Sequence, residues 1–129
     1  MKIKYAPEAL NMCSHIKIYD FDNIEARQLK ELFEELAAGE SEWASLKDLD
    51  NLEAEDGCAM TMRVGAWDKG VRNLGQNKKF EWILTEESWK HIAQVSEVFC
   101  EEDCYEHQEW FEQKKGDIPV LLESQPYEE

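Results

Sequence analysis

The chain is short of positive charge, histidine and glycine, and each shortage removes a class of function. Fourteen Lys and Arg stand against 29 Asp and Glu over 129 residues, a formal net charge of −15. A surface this negative repels phosphate, so neither nucleic acid nor an anionic membrane is an expected partner. With three His and six Gly, there is no glycine-rich phosphate loop, no Gly-x-Ser-x-Gly elbow and no His-Glu-x-x-His pair. No apolar stretch approaches the roughly 18 residues that a membrane helix needs. Residues 1–10 hold two Lys, a Pro and a Glu without the apolar run of a secretory signal, and no Asn-x-Ser/Thr acceptor occurs. Four cysteines in that setting are expected to be reduced thiols of a cytoplasmic protein and not a disulfide framework.

What is present points to a folded core. Apolar residues make up 43% of the chain, with five Trp, five Phe and four Tyr, too much apolar mass for a disordered polyanion. The length suits one domain over residues 1–129. Charge is unevenly spread. Residues 25–56 hold eleven acids and three bases, and residues 95–112 hold seven acids and no base. The stretch between them, 57–94, holds four acids and six bases.

The hydrophobic pattern predicts an α+β fold with a mostly antiparallel sheet and two or three helices packed on it. Residues 15–21 alternate as a half-buried strand, with residues 2–5 as a neighbour. Asp22 and Glu25 then open a helix over about 23–38, striped by Leu29, Leu32, Phe33 and Leu36 and stopped by Gly39. Residues 39–57 read as an acidic loop with a helical turn, either a short flap pinned on the core by Trp43 and Leu46 or a binding element. Residues 58–64, 71–74 and 80–84 are expected to form a three-strand meander joined by turns. Thr85 caps a second helix striped by Trp89, Ile92, Ala93, Ser96, Phe99 and Cys100, bent near 101–103 and continued over 104–115. Residues 118–122 suggest an edge strand, because Pro119 lacks an amide donor, and the tail from about 124 to 129 is expected to be loose. Helices segregated from strands define the α+β class, with a ferredoxin-like split sheet as one candidate topology.

Two constellations carry candidate chemistry. Cys100, Cys104 and His107 recur at i, i+4 and i+7, one face of a continued helix, and offer ligands that suit zinc. Cys13 or His15 would complete a tetrahedral set. The same spacing extends an apolar stripe, in which Cys serves as a small buried hydrophobe. Neighbouring Glu101, Glu102, Asp103 and Glu106 would make a thiolate costlier, which argues against a cysteine nucleophile.

The other constellation is acidic. Glu31, Glu34 and Glu35 occupy the outer face of the first helix, and Trp43, Asp48, Asp50, Glu53 and Asp56 follow in the loop. An exposed Trp among carboxylates suits a basic protein, since aromatics anchor interfaces and charge steers the encounter. The expectation is a small non-enzymatic interaction protein, an inhibitor or neutralising partner of a basic protein. A zinc-binding or metal-sensing domain is the alternative, and an enzyme with an unrecognised carboxylate pair is a further one. That last reading requires a carboxyl titrating well above ~5.

Overall fold

Asp22 and Glu25 start the first helix by satisfying each other's backbone. The Glu25 N–H donates to the Asp22 carboxylate over 2.8 Å, and the Asp22 N–H donates back to the Glu25 carboxylate over 3.2 Å. The computed structural model describes residues 1–7, 14–49, 52–75, 78–111 and 118–126. In it α1 spans Asn23–Ala37 and buries Ala26, Leu29, Phe33 and Leu36, as the spacing predicts for all but Leu32, which is half-buried. Gly39, at φ +75°, turns the chain out of the helix, a conformation that costs glycine little. The second helix, α2, covers Glu86–Ser96. Thr85 caps it by accepting the Ser88 N–H over 3.2 Å.

Among the described residues nine strands divide between two sheets, so the class is α+β, but the ferredoxin-like split sheet is not what forms. They are β1 (Lys2–Ala6), β2 (His15–Phe21), β3 (Trp43–Ser45), β4 (Glu53–Ala54), β5 (Ala59–Val64), β6 (Gly70–Asn73), β7 (Lys79–Leu84), β8 (Gln108–Phe111) and β9 (Val120–Ser124). One sheet has the order β4-β1-β2-β9-β8 and the other β3-β5-β7-β6. Both are mixed. The pairs β1–β4, β2–β9 and β5–β7 run parallel, and the other pairs run antiparallel.

The expected meander is therefore wrong in its order. Strand β7 lies between β5 and β6, because Phe80, Trp82, Ile83 and Leu84 are all buried and such a strand belongs where both faces are covered. The C-terminal strand also moves inward. Pro119 precedes β9 and donates nothing to the ladder, leaving Val120–Ser124 free to lie between β2 and β8. Its Pro119 carbonyl still accepts the Ile16 N–H over 3.0 Å.

The third correction concerns the second half of the long helix. After α2 a single 3-10 turn, Glu97–Cys100, ends the helical path, and residues 108–111 pair with β9 as a strand. Glu101, Glu102 and Asp103 are all exposed there, and three adjacent carboxylates give a helix no apolar face to bury. As a strand the segment buries Phe111 and gains a ladder of backbone bonds.

Aromatic contacts join the layers into one core cluster. Phe33 of α1 stacks on Trp89 of α2 at 5.7 Å, and Trp82 of β7 meets Trp89 edge-on at 4.9 Å. Across the two sheets Tyr5 meets Phe80 at 5.1 Å and Trp82 meets Phe111 at 6.1 Å. An isolated bridge between Val71 and Ile118 ties the sheets at a corner. Among the described residues, no helix is long and apolar enough to cross a membrane.

Candidate functional site: an acidic surface around Trp43

The inward stripe of α1 leaves Glu31, Glu34 and Glu35 on the opposite face, all exposed. At the end of the helix the Ala38 N–H donates to the Glu34 carbonyl over 2.9 Å, and the Glu40 N–H donates to the Glu35 carbonyl over 3.1 Å. These bonds fold the chain back on itself. Glu40 consequently joins Glu31, Glu34 and Glu35 around a shallow depression of about 440 Å³. On that rim Glu34 has a cationic neighbour, with the Lys30 Nζ 3.6 Å from its Oε1.

A second depression of about 460 Å³ adjoins the first, and Glu35 lines both. Its walls include Leu32 and Glu35 from α1, Glu42 and Trp43 at the start of β3, and Asp48 from the 3-10 turn Leu46–Asp48. Leu46 and Leu49 are buried and hold this segment on the core. Trp43 does not act as a pin. Its side chain is 62% exposed, because β3 buries only the alternate residue, Ala44.

The acidic residues expected to act together separate into two places. Glu53 and Asp56 are exposed at the far edge of the other sheet, where β4 pairs with β1 and places Glu53 opposite Lys2. Asp56 is engaged by Lys78 at 3.3 Å, and the Tyr19 hydroxyl donates to neighbouring Glu55. Neither Glu53 nor Asp56 lines the depressions beside α1, and Asp50 lies outside the described residues. Sequence reasoning missed Glu40 and Glu42, although both flank the Gly39 turn within the acid-rich run.

The expected metal set loses its shared helix face, since Cys100 closes a 3-10 turn while His107 immediately precedes β8. Cys100 Sγ faces the Ser96 carbonyl at 3.8 Å, and the His107 ring contacts Glu109 Oε1 at 2.9 Å. His15 is buried with its ring 5.0 Å from that of Trp110, and Cys13 lies outside the described residues. Burial holds the Cys100 and Cys104 thiols above their ordinary range, which favours the neutral form. Among the described residues, no group of three or more His, Cys, Asp or Glu is placed to hold a metal ion.

For acid–base chemistry the informative carboxyl is Glu123. Burial alone would raise it, but hydrogen bonds from Gln108 and Lys17 outweigh burial and hold it below the ordinary carboxylate range. That is the reverse of what a general acid requires. Compared with family models, curated proteins and solved structures, the chain matches none.

Proposed function

We propose that this chain is a non-enzymatic binding protein, a neutralising partner or inhibitor of a basic protein, and that the surface around Glu35 and Trp43 receives that partner. One observation carries the reading: Glu35 lines both depressions, so the α1 carboxylates are continuous with Glu42, Asp48 and an exposed Trp. An indole there supplies contact area at small entropic cost, and the carboxylates attract and orient a cationic surface. Trp67, nearly as exposed, has a different character, because Lys69 Nζ sits 5.2 Å above its ring and occupies it with a cation of its own chain.

The test compares wild type with a Glu35→Lys/Asp48→Lys variant as bait in a lysate of the source cells at about 50 mM salt, where screening is weak. The expected result is a basic protein retained by wild type, released near ~200 mM salt and not retained by the variant. No basic protein retained, or equal retention by both baits, overturns the proposal.

A further inference from the structure

The second depression runs along an open sheet edge. Strand β3 ends the order β3-β5-β7-β6, and its antiparallel register places Trp43 opposite Arg63, Ala44 opposite Met62 and Ser45 opposite Thr61. The Val64 N–H donates to the Glu42 carbonyl over 2.8 Å. Hydrogen-bonded and non-bonded pairs alternate along an antiparallel ladder, so Ala44 bonds to Met62 while the backbone groups of Trp43 and Ser45 point away from β5. The Ser45 carbonyl is taken by the 3-10 turn that Ser45 caps. That leaves the Trp43 N–H, the Trp43 C=O and the Ser45 N–H facing outward, and among the described residues no hydrogen bond satisfies them.

The space beside this edge is an open cleft with Leu32 and Glu35 on one wall and Trp43, Glu42 and Asp48 on the other side. Natural edges are usually covered or blunted, and an open one is a template for another strand. A second copy of this chain is a poor occupant, since it would bring another −15 charge against these carboxylates.

We infer that the free edge of β3 takes up an extended segment of a basic partner as an additional strand, with alternate residues cationic. Backbone bonds to Trp43 and Ser45 hold the segment. Its cationic side chains lie along Trp43, on the strand face opposite Ala44, where an ammonium or guanidinium gains from the indole face and from the negative field of this surface. The intervening small apolar side chains turn toward Leu32 and Ala44. This rests on the basic-partner reading above and adds how the partner is held.

The probe is a ten-residue peptide alternating Lys and Val, with two derivatives that carry N-methyl groups on one or the other set of alternate amides. A strand presents only alternate amides to its neighbour. One derivative should therefore bind about ten-fold or more weakly and the other within about two-fold of the parent, since a lost backbone bond of ordinary strength corresponds to roughly that factor. Hydrogen exchange at the Trp43 and Ser45 amides should slow when the parent peptide is bound. Equal binding by both derivatives, or binding without protection at Trp43 and Ser45, overturns strand addition and leaves the basic-partner reading standing. No binding of the parent peptide at low salt overturns strand addition at this edge, and the bait comparison above then decides the basic-partner reading separately.

Discussion

The Trp89 indole N–H donates to the Arg63 carbonyl over 3.0 Å, fastening α2 to the end of β5. Arg63 is also the residue opposite Trp43 in the β3–β5 register. The core and the candidate surface are thus joined through one backbone position. Replacing Trp89 by Phe keeps most of the apolar volume and removes the donor, which leaves a carbonyl less well satisfied. The variant should lose about 1–2 kcal/mol in urea unfolding. An unchanged midpoint would show that water replaces the bond at no cost.

Asp68 performs a similar task at the same first turn of α2. Its Oδ1 accepts the Thr85 N–H over 2.9 Å, and its Oδ2 accepts the Ser88 hydroxyl over 2.7 Å. A carboxylate at a helix N-terminus gains from both the free amides and the dipole. Asp68→Ala should cost about 1–2 kcal/mol. Asp68→Asn, which retains an amide oxygen, should recover part of this. Equal losses in the two variants would show that charge alone matters.

Cys58 is buried, and burial pushes its thiol from the ordinary 9.0 up to about 11, against a smaller lowering by Lys78. Between those values the unfolded chain has released its proton and the folded chain has kept it. Stability should therefore fall as pH rises from about 9 to 11 and be untouched by this group below 8. Cys58→Ala should show the shallower decline over that window. Parallel pH profiles for the two proteins would refute the assignment. At pH 8 iodoacetamide should modify half-buried Cys100 and Cys104 well before Cys58, because the reagent reaches them more easily.

Trp43→Ala should leave stability within about 0.5 kcal/mol, as expected for an exposed side chain. The same change should weaken binding of a basic partner by roughly ten-fold or more, as for an aromatic anchor. A variant that binds as tightly as wild type would remove Trp43 from the interface and leave the carboxylates to act alone.

Much of this architecture is written in short-range signals. The reciprocal Asp22 and Glu25 cap, the Leu29-Phe33-Leu36 stripe, the Gly39 stop and the Thr85 cap each act within a few residues, so both helix starts can be read directly. The outward placement of Glu31, Glu34 and Glu35 follows from the same periodicity. The segment 104–111 misleads because Cys104, His107 and Phe111 fit a helical spacing, while His107, Glu109 and Phe111 fit a strand equally well. Only β9, about a dozen residues further along, decides between them by offering a partner. Trp43 was ambiguous for a related reason, since whether an aromatic pins a loop or faces water depends on which side of β3 meets α1.

Sequence by itself determined the charge, both helix starts and the end of α1, the aromatic content of the core and the acidic character of α1, because each depends on composition or on neighbours within one or two turns. Tertiary structure decided which strands are central, which edge stays open, and that Glu35 shares a depression with Trp43 and Asp48 while Glu53 and Asp56 lie elsewhere. Those outcomes depend on strand pairing between distant segments. Pairing is settled by where the apolar faces of β7 and β9 can be covered on both sides, a competition among all the strands that no local pattern records.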